Sequence, residues 1–299
     1  MKYKMPLIIL FIAAMLIWSC DPNTAQGKDQ PTMNDEACDA KLRSLMSKAL
    51  TPESKFETAA NICTITHLRF QKTAQISWSV DRLRIAKSSP STVLGDALRA
   101  EAHGIRFSSE IGDARASYII NAQQRPFDAR VDYVVDRRSG QLRLNDLTIE
   151  SPSLGKATIS LVADIKVTAN DAFPDISKIA IRTIHITLEN KFIFESMILP
   201  TWVNAVGHED PETAIPKQLA IDEIQIAKLP ASVIDPKGRD ALIRFLKDMP
   251  HPVGRLDLNL VFAQPLKLKA SADAFKGDAF WRAFTWIDAR YEPLPASAR

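Results

Sequence analysis

A chain of 299 residues that is 46% hydrophobic and 24% charged holds enough apolar material for one large core or two smaller ones, which excludes a disordered protein. Its formal charge is only +3, with 38 Lys and Arg scattered among 35 Asp and Glu. That balance leaves no basic footprint for nucleic acid.

The first 20 residues, MKYKMPLIILFIAAMLIWSC, have the parts of an export signal: Lys2 and Lys4 at the start, an apolar stretch from Met5 to Trp18, and the small residue Ser19 before Cys20. The apolar stretch has 14 residues, and a membrane-spanning helix needs about 20, so removal is expected rather than a permanent span. The segment Leu16-Ile17-Trp18-Ser19-Cys20 resembles a bacterial lipobox, with Ile17 and Ser19 in the aliphatic and small positions and Trp18 departing from the pattern. The resemblance implies a lipidated Cys20 at the mature N-terminus and attachment to the membrane through that lipid. Asp21 resembles the residue that keeps some such proteins at the inner membrane, which favours the inner over the outer membrane. Removing Lys2 and Lys4 leaves a mature charge of about +1.

Residues 20–34 then read as the lipidated cysteine and a flexible tether, DPNTAQGKDQPTMN, holding the folded part roughly 20 Å from the bilayer. Over 35–66, Cys38, Leu42, Leu45, Met46 and Ala49 recur at helical spacing, as do Phe56, Ala59, Ala60 and Cys63. Thr51-Pro52 between them has the form of a helix start. The expectation is an antiparallel helical hairpin with Cys38 and Cys63 side by side. An exported chain left with an even pair of thiols favours a disulfide between them. Two buried thiols, or a metal or redox pair, are the alternatives.

From 67 to 299 the expectation is a β-rich body. Ile76, Trp78 and Val80 alternate with polar residues; Val131, Tyr133 and Val135 lead into the turn Arg137-Arg138-Ser139-Gly140. Leu142, Leu144, Leu147 and Ile149 return with a bulge at Asn145-Asp146, and Ser151 to Gly155 make the next turn before Ala157, Ile159, Leu161 and Ala163. Strands are also expected at Ile179 to Leu188, Leu219 to Ile226 and Leu256 to Phe262. Helices are expected at Phe192 to Val206, which Pro200 interrupts, at Arg239 to Met249, and at Ala272 to Tyr291. The fold class is therefore α+β: a curved antiparallel sheet of consecutive hairpins, an N-terminal helical hairpin, and C-terminal helices packed on one face.

Chemistry is sparse. The chain has no GxSxG, P-loop, GxGxxG, HExxH or EF-hand pattern, and its five histidines are dispersed. His67, His103 and His185 sit at strand-like positions, and His208-Glu209-Asp210 lies in a loop. No catalytic residue, cofactor or metal centre is expected. The hairpins of GQLRLNDLTIESPSLGKATISL, with the order strand 184–188, helix 192–206, helix 241–246 and the strand leading to Gln264-Pro265-Leu266, resemble uncharacterised, somewhat AsmA-like proteobacterial envelope proteins over 128–290. The resemblance implies an envelope role, in lipid homeostasis or envelope assembly, and supplies no catalytic residue. The resulting expectation is a non-catalytic periplasmic lipoprotein that binds a hydrophobic ligand or an envelope protein, with an apolar groove bordered by Phe280, Trp281 and Phe284. The alternatives are a structural or accessory subunit without a ligand, and a hydrolase acting on lipid or cell-wall material.

Overall fold

The computed structural model describes residues 50–59, 62–73, 76–86, 97–109, 125–165, 179–199, 210–267 and 281–294. Ten strands follow one another in sequence: β1 (Leu50–Ala59), β2 (Ile62–Thr73), β3 (Ile76–Ala86), β4 (Ala97–Ser109), β5 (Phe127–Asp136), β6 (Gln141–Ser151), β7 (Gly155–Asp164), β8 (Ala180–Asn190), β9 (Gly254–Lys267) and β10 (Phe284–Pro293). They pair in that same order as one antiparallel sheet. Between β8 and β9 the chain forms a single π-helical turn (Phe194–Ile198) and two helices, α1 (Pro211–Ala227) and α2 (Pro236–Lys247).

The register explains why this sequence makes such a sheet. One row crosses all ten strands as Phe56, Ile65, Leu83, Ala102, Ala129, Ile149, Ala157, Leu188, Leu256 and Tyr291. The adjacent row crosses them as Glu57, Thr64, Arg84, Glu101, Arg130, Thr148, Thr158, Thr187, Asp257 and Arg290. Successive side chains of a strand point to opposite faces, so every strand gives an apolar residue to one face and a polar residue to the other. A slip of one residue anywhere would exchange the faces, and this holds the pairing in place.

The expected features between 127 and 164 are present. At the β5–β6 turn, the Asp136 carboxylate accepts from the Arg138 N–H at 2.9 Å and the Ser139 hydroxyl at 2.8 Å, while Gly140 takes φ +64. The Ser139 hydroxyl, and then the backbone N–H groups, hold the Asp136 carboxyl below its ordinary range. Asp132 pairs with Asp146 and Tyr133 with Leu144, leaving Asn145 as the extra residue of a bulge.

Three expected elements are corrected. Leu50–Ala59 and Ile62–Thr73 are paired strands, so the hairpin expected over 35–66 is not helical in its described half, and the boundary at 66 falls inside β2. The apolar residues of β2 recur at period two as Cys63 and Ile65, then resume at Leu68 and Phe70 after His67, whose φ is +58. Ile62, Thr64, Ile65 and Thr66 are β-branched, which favours the strand. Residues 35–49, including Cys38, lie outside the described residues; Cys63 is buried on the apolar face, in the row of Ile85, Ala100 and Val131.

Leu219 to Ile226 belongs to α1 and not to a strand. Asp210 caps the helix, accepting from the Glu212 N–H at 3.3 Å, and Pro211 occupies its first position. The helix expected at 272–291 ends instead in β10, where Ile287, Ala289 and Tyr291 are buried and Asp288, Arg290 and Glu292 alternate with them. A register shift between Phe284 and Trp286 had given the apolar residues their helical spacing. Helix α2 agrees with expectation, capped by Asp235 and burying Ala241 and Leu242.

The two ends of the sheet differ. Helix α2 packs against β10, and the Ile287 N–H donates to the Val233 carbonyl at 2.7 Å, so the segment before α2 covers the outer edge of β10. Along β1, the Thr51 and Ser54 hydroxyls turn inward to the His67 carbonyl at 3.1 and 2.9 Å, and Pro52 removes a donor.

Candidate hydrophobic binding face

Three apolar rows make the face: the row of Tyr291 above, the row Cys63, Ile85, Ala100, Val131, Leu147, Ile159, Ile186, Leu258 and Ala289, and the row Leu98, Tyr133, Leu144, Leu161, Ile184, Leu260 and Ile287. Much of it is closed, with Ile65 at 0%, Ile159 at 2% and Ile287 at 1% exposure. Over Tyr291 the closure comes from α2, whose Phe245 ring stands edge-on at 5.3 Å, and the Tyr291 hydroxyl donates to Asp248 at 2.6 Å.

A lane across the face is only half-buried. Leu83 on β3, Leu98 on β4, Val131 and Tyr133 on β5, Leu161 on β7, Ile186 on β8 and Phe262 on β9 pack against the core yet keep part of their surface accessible. On β6 the residues of this face, Leu142, Leu144, Leu147 and Ile149, are buried, so the accessible surface lies in two parts, on β3 to β5 and on β7 to β9. Between β3 and β9 the hydroxyl of Tyr133 is the polar group that the described residues of the three rows carry, apart from the Cys63 sulfur on β2. Such a surface can take an aliphatic chain by area alone.

Of the residues expected to border a groove, Trp281 and Phe284 are described. Phe284 is interior at 4% exposure, its ring 4.9 Å from Phe262. Trp281 is half-buried against the core, 6.3 Å from the Phe284 ring, with its indole N–H 3.5 Å from Asp222 on α1. Phe280 lies outside the described residues. Trp281 and Phe284 therefore join α1 to the sheet, and the half-buried surface lies along the middle strands.

Asp222 is the buried carboxyl of this junction. Burial pushes its pKa up, against the opposing hydrogen bonds from Gln218 and Trp281. As pH rises, the unfolded chain releases this proton first, so stability falls from the ordinary carboxylate range up to the raised value and the full cost persists above it. Asp222→Asn keeps an acceptor oxygen and cannot ionise. It is expected to raise the thermal midpoint at about pH 7 and to leave it unchanged only at about pH 3, below the ordinary carboxylate range. A lower midpoint at the higher pH would show that the carboxylate favours the fold.

The opposite face is a lattice of cross-strand ion pairs, including Arg84–Glu101 at 3.5 Å, Arg255–Glu189 at 3.3 Å and Arg130–Asp146. They are solvent-exposed, and each contributes about 1 kcal/mol or less. His103 and His185 stand on this face, with ring nitrogens 3.0 Å from Asp128 and Asp257 respectively. Burial pushes the Asp128 carboxyl up, but the Gly104 N–H and His103 outweigh it and hold the group below its ordinary range. Ser160 stands opposite His185 in register, so Ser160, His185 and Asp257 occupy neighbouring positions. On interior strands the backbone N–H groups are committed to the ladder. Asp210 is the cap of α1, while His208 and Glu209 lie outside the described residues.

No group of His, Cys, Asp and Glu among the described residues is arranged to hold a metal ion, and no described helix is long and apolar enough to cross a membrane. In comparisons with known proteins, no family model matches the chain and no curated protein matches it.

Proposed function

We propose that this chain is a non-catalytic lipoprotein of the cell envelope, anchored through an acylated Cys20 and facing the periplasm, whose sheet holds a hydrophobic ligand along the half-buried lane. The observation that carries the reading is the lane itself: partly accessible apolar side chains on β3 to β5 and again on β7 to β9, on a face that β6 and much of the remaining surface close. The lipobox-like segment supports the anchoring, and the AsmA-like character of the hairpins supports a place in lipid homeostasis or envelope assembly. A bridge between Cys38 and Cys63 belongs to the same proposal. It would stabilise the fold by roughly 3.5 kcal/mol on the chain-entropy model.

The test uses a naturally fluorescent polyene fatty acid as probe. Leu161→Glu puts a charge in the middle of the lane at a position that already meets solvent. It is expected to weaken probe binding at least tenfold, which corresponds to about 1.4 kcal/mol, with the far-UV signal of the sheet retained. Val131→Gln, smaller in its disturbance, should weaken binding in the same direction. Unchanged binding by both folded variants would refute the lane as the site.

A further inference from the structure

Helix α1 is apolar on both sides. Its inner side buries Ala214, Ile215 and Ile226, yet Ile221 and Ile224 on its outer side are 37% and 54% exposed. They sit in one straight seam: Lys217, Ile221, Ile224 and Lys228 follow at intervals of four, three and four residues, which is one line along a helix. Lys217 and Lys228 are both exposed, so each end of the aliphatic centre carries a cation. The neighbouring acids are turned away from the seam. Asp222 faces Trp281 on the inner side, and Glu223 is paired with Lys247 at 3.2 Å.

We infer that the Lys217-to-Lys228 seam of α1 docks on an anionic lipid surface, with Ile221 and Ile224 among the outermost acyl carbons and the two lysines at the phosphates. Lysine suits this place because its stem lies along apolar surface while its ammonium reaches the headgroups. A protein partner would match this pattern poorly: interface centres are enriched in aromatic side chains, Met and Arg and depleted in Lys. With two isoleucines and two lysines the contact is weak by itself, and its effect is to orient a body already held close to the bilayer. This goes beyond the ligand-binding proposal and rests on the anchoring through Cys20.

The test is a nitroxide label at an introduced Ile224→Cys in the full chain, with an Arg182→Cys label on the polar face of β8 as control, in vesicles of phosphatidylglycerol and phosphatidylethanolamine. At 224 the label is expected to become more accessible to dissolved oxygen and less to a water-soluble nickel complex; at 182 it should not change. Phosphatidylcholine vesicles, raised salt or the double variant Lys217→Glu/Lys228→Glu should reverse the change at 224, with the thermal midpoint of the variant preserved. Equal immersion in phosphatidylcholine, or a label already shielded without lipid in a self-associated protein, would overturn the inference. Flotation of the acylated chain with the vesicles reads the anchoring separately from the label, so failure of lipid anchoring and failure of α1 docking are distinct results.

Discussion

Gly155→Ala is expected to destabilise the protein by at least about 3 kcal/mol. Gly155 has φ +103, and a Cβ built on it would lie 2.0 Å from the Glu189 carbonyl oxygen and 3.0 Å from the Lys191 nitrogen. Both are backbone atoms, so no side-chain rotation relieves the contact, and the strained φ adds its own cost. The position belongs to a row at one end of the sheet, Gly155, Asn190, Gly254 and Pro293. Asn190 in that row is 2% exposed; its amide donates to the Pro252 carbonyl and its side-chain oxygen accepts from the Phe194 N–H at 2.8 Å. Pushing β7 away from β8 would therefore disturb the exit of β8 and the entry of β9 together. Chemical denaturation of the variant checks this. A loss under 1 kcal/mol, which is roughly the cost of an ordinary surface change, would show that the strands part easily there.

The second large effect is at Ile159, where truncation to alanine is expected to cost about 3 kcal/mol, within the range for buried aliphatic residues. Its cross-strand neighbour Ile186 lies in the same apolar row but is only half-buried. Ile186→Ala should cost about 1 kcal/mol, because the lane leaves less surface and less packing to lose. The difference between two adjacent isoleucines measures the partial openness of the face. Equal losses from urea unfolding would mean that the lane is filled as tightly as the rest of the core.

The central hairpins were legible because each signal pointed the same way. Alternation in β5 to β7, the Asp136 to Gly140 turn and the extra residue Asn145 left little freedom. Errors arose where a strand carries an irregularity. The register shift before Trp286 placed Phe284, Ile287 and Tyr291 at helical intervals, and the positive φ at His67 broke the period of β2. Helix α1 shows the reverse case. It is apolar on both sides, so Leu219, Ile221, Ile224 and Ile226 do not fall on one narrow helical stripe, and their spacing passed for a bulged strand.

The apolar face could be foreseen as a pattern, but not its half-buried lane, since exposure depends on what stands above each residue. The ion pairs of the opposite face were hidden for a different reason. His185 meets Asp257 across a sequence separation of 72, and only the completed register brings them together. Trp281 is visible in the sequence as an aromatic near the end of the chain; its partner Asp222 is not, because the spacing of Leu219 to Ile226 reads as a strand.

Native mass spectrometry of the protein taken from membranes tests the central claim most directly. The account predicts a chain beginning at Cys20 with the mass of its acyl groups, two hydrogens lighter for the Cys38–Cys63 bridge, and a non-covalently bound hydrophobic molecule that leaves on collisional activation and is reduced in Leu161→Glu. An acylated, folded chain that carries no such molecule, or one that Leu161→Glu retains in full, would contradict it.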